Sequence, residues 1–141
     1  VISENGLTSP LLTLQRTTHH TLRALTAALA DLPLSAAELN VLANMAGRGA
    51  LNVSQLSART GTRPSTLTNV LDRLEQRGYL TRELDSRDRR SFRLTLTRQG
   101  TATARRASDA IADLESRALD GLPASALDGF HAVLSALEQA S

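Results

Sequence analysis

The 141-residue sequence predicts a mainly α-helical fold, α+β only through one small β-hairpin set between helices. Three observations carry that expectation. Leu and Ala supply 47 of the 58 apolar residues, against 5 Val, 2 Ile and 3 aromatics. Ala and Leu lose little on entering a helix, whereas β-branched and aromatic side chains favour strands. Apolar residues return at spacings of three and four over most of the chain, and only between Gly78 and Arg98 does the period change to two. A chain of this length is expected to form one compact domain with a core that needs neither disulfide nor metal.

The first helix is expected from about Pro10 to Leu32, with Leu11, Leu14, Leu22, Leu25, Leu29 and Leu32 forming its stripe and Pro33 interrupting it. Ser35-Ala-Ala-Glu38 has the spacing of a capping box and opens a second helix through Leu39, Leu42 and Met45 to the breakers Gly47 and Gly49. Ala50-Leu51-Asn52 reads as a short extended link. A short helix from about Ser54 to Thr60 turns Val53 and Leu56 inward and closes at Gly61. Thr62 is expected to cap the next helix, whose first turn tolerates Pro64 because amides there lack intrahelical partners. That helix carries Leu67, Val70, Leu71 and Leu74 on one face and stops at Gly78. Tyr79 to Leu84 and Phe92 to Thr97 then alternate as strands around a polar tip, Asp85-Ser-Arg-Asp-Arg-Arg90. From Arg98 a helix with Ala107, Ile111, Leu114 and Ala118 on one face runs to Gly121-Leu-Pro123. A last helix, about Ser125 to Ala140, presents Leu127, Phe130, Leu134 and Leu137.

Two short helices joined through Gly61 make a helix-turn-helix, and the hairpin directly after them makes it a winged helix-turn-helix. Residues 35–98 are therefore expected to form a DNA-binding region. Residues 1–34 and 99–141 are expected to form a helical dimerisation region of the same compact domain. The apolar stripes of the terminal helices exceed what a lone winged domain covers, and exposed stripes of that size mark an interface. The alternative is that both terminal helices fold back on their own domain. A two-fold dimer suits a pseudo-palindromic double-stranded DNA operator with half-sites about 10 bp apart.

Charge points the same way. All 16 basic residues are Arg, and residues 59–106 hold 12 of them against Asp72, Glu75, Glu83, Asp85 and Asp88, a local +7. The rest of the chain carries a local −5. Such polarity is the footprint of a nucleic-acid-binding segment, the bland alternative being a solvated basic face. In a winged helix the second helix enters the major groove by its N-terminal residues and the hairpin reaches flanking backbone or minor groove. Arg63, Ser65, Thr66, Thr68, Asn69 and, a turn on, Arg73 are the candidate recognition-helix contacts, of the types that read base edges or bind phosphate. Arg87, Arg89 and Arg90 crowd the wing tip beside Asp85, and narrow minor grooves attract inserted Arg.

The absence of Cys excludes a disulfide framework, a zinc ribbon, an iron–sulfur cluster and a cysteine nucleophile. No apolar run approaches a membrane span of about 18–20 residues and no start resembles a signal peptide, so a cytoplasmic protein with no membrane partner is expected. Val1 rather than methionine opens the chain, which is compatible with residues ahead of it. No Gly-rich phosphate loop, His-Glu-x-x-His or nucleophile elbow is present, so an enzyme is not expected, and nothing calls for a cofactor. RNA binding lacks aromatic stacking platforms, with only Tyr79, Phe92 and Phe130 to supply them. A winged-helix protein-interaction module is the remaining rival, and it has no need of three wing-tip Arg.

Asp85-Ser-Arg87-Asp88-Arg89-Arg90, followed by Leu96-Thr97 and Gly100, resembles the wing signature of MarR-type transcription regulators. Arg63-Pro-Ser-Thr-Leu-Thr, with Leu71-Asp72-Arg73-Leu74-Glu75 and Arg77-Gly78, is similar to that family's recognition helix and its exit. The order of elements resembles the family over nearly the whole chain. The resemblance implies a homodimeric winged-helix DNA binder, usually a repressor, dimerised by its terminal helices. It implies that Arg87 enters the minor groove held by Asp85, and that Arg90 braces the wing or touches phosphate. It also implies a small phenolic or anionic effector. For that role His19 with Arg23, and Asn44 with Arg48, are the candidate pairs, each spaced as one helical turn on the first and second helices, surface or interface roles being the alternative. Some relatives sense zinc instead, and His19, His20 and His131 with Glu38 would be the ligands; His19 and His20 point about 100° apart on a helix and suit one metal poorly.

Overall fold

The computed structural model describes residues 9–88 and 90–141. The described elements run α1 (Pro10–Ala28), α2 (Ala36–Met45), β1 (Leu51–Asn52), α3 (Val53–Thr60), α4 (Pro64–Gln76), β2 (Leu80–Leu84), β3 (Phe92–Leu96), α5 (Arg98–Leu119) and α6 (Ala124–Ala140). The chain forms two compact units, Val1–Ile111 and Ala112–Ser141.

In the first unit α3 and α4 pack on a three-stranded antiparallel sheet of order β1-β3-β2, and α2 packs on α3 and α4. Leu42, Leu56, Leu67, Leu71, Leu74, Leu80 and Leu94 are fully buried in its core. Each such side chain contributes about 1.5–3 kcal/mol relative to exposure. Leu67, Val70, Leu71 and Leu74 recur at helical spacing, so α4 buries one stripe and leaves the opposite face to solvent. From α5 only small residues, Gly100, Thr103, Ala104 and Ala107, are buried. In the second unit α6 buries no residue; Leu127, Phe130 and Val133 are exposed and Leu134 and Leu137 half-buried.

Several boundaries differ from those expected. α1 ends at Ala28, not Leu32, because Leu29 turns out of the helix with φ −115° and is buried in the core instead. α3 starts one residue early, at Val53, because Asn52 and Gln55 form a second capping box, each side chain accepting the other's backbone N–H at 2.7 and 2.9 Å. Thr62 does not cap α4. Pro64 is the first helical residue, and the restriction that proline places on its predecessor holds Arg63 extended (ψ 144°), so Arg63 takes the cap position without a side-chain hydrogen bond. The expected link at Leu51-Asn52 is a strand that pairs Leu51 with Leu94 and Asn52 with Arg93. On α5 Ala107 is buried, Ile111 and Leu114 are half-buried, and Ala118 is exposed.

The junction from sheet to α5 rests on a close backbone approach. Thr97 accepts the Gly100 N–H through Oγ1 at 3.0 Å, donates its hydroxyl to the Gly78 carbonyl at 2.6 Å, and donates its own N–H to the Tyr79 carbonyl at 3.1 Å. A Cβ at position 100 would lie 1.7 Å from that Tyr79 oxygen, so only glycine fits.

Candidate nucleic-acid interface

The turn between α3 and α4 is set by Gly61, whose φ of +67° is the left-handed conformation that glycine adopts without penalty. Ser57 Oγ donates to the Thr62 carbonyl at 2.6 Å and steadies the turn. α4 then presents Arg63, Ser65, Thr66, Thr68 and Asn69 on its solvent side, all exposed. No side chain caps its first turn, so the amide donors there, at the positive end of the helix, face outward with Arg63. Thr68 donates its hydroxyl back to the Pro64 carbonyl at 2.8 Å, which leaves its oxygen as an acceptor and its methyl group for contact. Arg73 is half-exposed, with Nε 3.8 Å from the Glu38 carboxylate.

The wing is tied to this helix by Arg82. Its guanidinium reaches Asp72 at 2.5 Å and Glu75 at 3.1 Å, and its N–H donates to Glu75 at 3.2 Å. The Glu75 and Asp72 carboxylates hold the guanidinium more firmly protonated than usual. At the tip Asp85 accepts the Arg87 N–H at 2.9 Å and Asp88 accepts the Arg90 N–H at 3.0 Å, two turns closed by aspartate on the backbone. Asp85 thus shapes the tip through the Arg87 amide rather than through its guanidinium. Arg87 and Arg90 are exposed, with no carboxylate within 4.0 Å among the described residues. Arg89 lies outside the described residues.

Of the two effector pairs, the structure brings one together. His19 and Arg23 line the same open groove, about 650 Å³, whose apolar wall includes Leu22, Leu29, Leu32 and Leu34. Asn44 and Arg48 do not share a helix face. α2 ends at Met45, and Gly47 at φ +68° turns the chain before Arg48; Asn44 spends its amide on Asn40. Glu38, considered as a zinc ligand, is 4% exposed and accepts from Arg77 at 2.8 Å and from the Ser35 N–H at 3.3 Å. Arg77 also donates to the Pro33 carbonyl. That carboxylate is a structural tie between α2 and α4, and among the described residues no three His, Asp or Glu side chains group as metal ligands.

The MarR family model matches residues 34–92, the stretch from α2 to the start of β3. The HTH-type transcriptional regulator PecS of Dickeya dadantii is 34% identical over 120 residues, 83% of this chain and 72% of that protein. The chain belongs to the MarR family. The HTH-type transcriptional repressor MdtR of Bacillus subtilis is 41% identical over 64 residues, which span 45% of this chain and only 41% of MdtR's length. Among solved structures, the repressor CouR bound to a 23-mer DNA duplex superposes with a TM-score of 0.74 at 26% identity, covering 92% of each chain. The protein is accordingly a winged-helix transcription regulator of the MarR family and not an enzyme. No helix among its described residues is long and apolar enough to cross a membrane.

Three features of this MarR-family site were not singled out in the sequence: the Arg82 clamp, the Glu38–Arg77 tie and the bidentate pair of Arg106 with Asp31 at 2.8 and 2.9 Å. Arg106, as donor, pulls the Asp31 carboxyl below its usual range. The sequence does hold a signal for the first. Arg82 occupies an inward position of β2, between Leu80 and Leu84, where an arginine needs carboxylate partners.

Proposed function

We propose that this protein acts as a homodimer that reads a pseudo-palindromic double-stranded operator, inserting the N-terminal half of α4 into the major groove and the wing tip into the minor groove. Residues 35–98 serve as the DNA-binding region, and residues 1–34 and 99–141 supply the helices for dimerisation. The observation that carries the reading is the sorting of charge around α4. Its two acids, Asp72 and Glu75, are taken up by Arg82, whereas Arg63, Asn69, Arg87 and Arg90 face solvent with no partner for their side chains among the described residues. Arg and Asn are the side chains that form bidentate contacts with guanine and adenine edges. Dimerisation is supported by the exposed Leu11 and Leu12 of α1 and Leu127, Phe130 and Val133 of α6, helices that bury no residue of their own.

Repression follows when such a dimer occupies a promoter in the cytoplasm. A small anionic or phenolic effector fits the groove beside His19 and Arg23, where a cation meets an apolar wall. An effector that favours a different spacing of the two recognition helices weakens DNA by the factor by which DNA weakens it. Selection of bound sequences from random duplex DNA at two salt concentrations tests the reading. The expected result is an enriched pseudo-palindrome with half-sites about 10 bp apart, bound more weakly at high salt. Binding without enrichment, or none, would overturn it.

A further inference from the structure

The wing carries an apolar pair that the fold leaves uncovered. Directly paired residues of an antiparallel ladder share a face, so Leu80, Arg82 and Leu84 of β2 lie on one face with Leu96, Leu94 and Phe92 of β3. That is the core face: Leu80 and Leu94 are fully buried on it and Arg82 reaches from it to Asp72 and Glu75 of α4. Thr81, Glu83, Arg93 and Thr95 make the opposite, exposed face. Toward the tip the helical body ends while the apolar alternation continues. Leu84 is 59% and Phe92 42% exposed, opposite one another, with the Arg82 guanidinium 6.0 Å from the Phe92 ring centroid. Pleat geometry therefore aims this pair to the side on which the recognition helix lies, and the adjoining tip carries Arg87 and Arg90 without carboxylate partners among the described residues.

We infer that Leu84 and Phe92 form a docking surface for the sugar–phosphate strand that separates the major groove from the minor groove. The inference rests on the DNA-binding reading above. With α4 in one groove and the tip in the next, that strand must pass through the corner between them. Its phosphates meet Arg87 and Arg90, and its deoxyribose C–H surface meets the apolar pair. Charge complementarity selects a polyanion: an apolar patch flanked by cations suits a backbone that is charged along its rim and apolar along its sugars.

The test uses the full chain and a duplex selected from random DNA by the wild type. Thr at both positions (Leu84→Thr with Phe92→Thr) keeps strand propensity and charge while removing the apolar surface. Affinity is expected to fall about tenfold, equivalent to about 1.4 kcal/mol, by the same factor at every salt concentration, because sugar contact releases no counterions. Phe92→Leu, which loses the ring over Arg82 but keeps part of the apolar surface, is expected to lose clearly less affinity than the double variant. Equal affinity of the double variant and wild type would overturn the inference, as would a loss that changes the salt slope or a loss reproduced by Phe92→Leu. A change in sedimentation without one in DNA affinity would overturn it too, by assigning the pair to a second copy of the chain. Absence of salt-sensitive binding by the wild type itself would instead defeat the DNA reading beneath it.

Discussion

Replacing Gly100 by Ala tests the packing argument at the point where the wing hands the chain to α5. Two effects oppose one another. Ala inside a helix is favoured over Gly by about 1 kcal/mol through propensity and the entropy of the unfolded chain. Against that, the added Cβ would lie 1.7 Å from the Tyr79 carbonyl oxygen and 2.8 Å from its carbon, where real contacts stay beyond 3.0 Å. The obstruction is backbone, so no rotamer relieves it, and α5 must move away from the turn by more than an ångström. Such a shift strains the core by about 1–3 kcal/mol. It also stretches the bonds from Thr97 to Gly78 and Tyr79, each contributing about 1 kcal/mol. The net expectation is destabilisation by about 2–4 kcal/mol, a large part of a total of about 5–15 kcal/mol for a domain. Urea denaturation followed by circular dichroism, at fixed protein concentration, measures it. Gly129→Ala in α6 is the control, since nothing lies within 4 Å of the methyl group that this change would add, and a gain of about 0.5–1 kcal/mol is expected there. A Gly100→Ala stability equal to or above that of the wild type would show that α5 and the Tyr79 turn separate without cost.

Arg87→Ala is expected to weaken operator binding and reduce the salt slope by about 1 while sedimentation still reports the wild-type oligomer; a titration series across salt checks both. Asn69→Ala is expected to relax preference at one position of each half-site, with a loss of about 1–3 kcal/mol for the preferred base only. Repeating the selection with the variant would show this, and a uniform loss across sequences would make Asn69 a phosphate contact. Asp85→Asn keeps an oxygen to accept the Arg87 N–H, so it is expected to bind at least as well as wild type, whereas Asp85→Ala opens the turn and weakens binding; equal losses in both would show that the carboxylate charge itself is required. The Asp31 carboxyl is depressed by Arg106, so its stabilising contribution is full above the ordinary aspartate range, near about pH 4, and disappears as pH falls through the lower folded value. Melting temperatures of Asp31→Asn and wild type should therefore differ at pH 7 and converge in acid.

Elements with strong local signals were legible in the sequence. The Ser35 capping box, the αL glycine at position 61 and the leucine stripe of α4 are all decided within a few residues, and they stand where the pattern puts them. What the pattern could not supply was decided by distant partners. Leu51-Asn52 becomes a strand because Leu94 and Arg93, more than 40 positions on, offer their backbone. Leu29 leaves α1 because a core position is available to it, against a helical period that continues to Leu32. The pairing of Asn44 with Arg48 failed for a local reason that was visible: Gly47 sits between them and breaks the helical turn on which the pairing depended. The candidate recognition residues follow from the helix period alone, since any residue off the Leu67–Val70–Leu71–Leu74 stripe must face outward. Which cations would be free was not legible, because that depends on where each carboxylate finds its partner in space.

Of the local +7 of residues 59–106, two charges are met from outside the segment, Arg77 by Glu38 and Arg106 by Asp31. Asp72 and Glu75 are spent on Arg82, a cation that points inward and would otherwise be unmatched against the core. Asp85 and Asp88 accept backbone N–H groups, so they shape the tip without binding a guanidinium. Glu83 stands opposite Arg93 on the outer face of the hairpin. Four of the five acids in the basic segment thus have a structural use. Arg82 ties the wing to α4 beside the buried Leu80 and Leu94, and Arg63, Arg87 and Arg90 are left without a carboxylate partner among the described residues. A helix and a wing held at a set separation by Arg82 match two neighbouring grooves only if that separation is kept. Loss of the Arg82 clamp should therefore harm recognition more than its half-exposed ion pairs contribute to stability: a pair that screens readily in water adds little to folding, yet it sets the one distance on which simultaneous occupancy of both grooves depends.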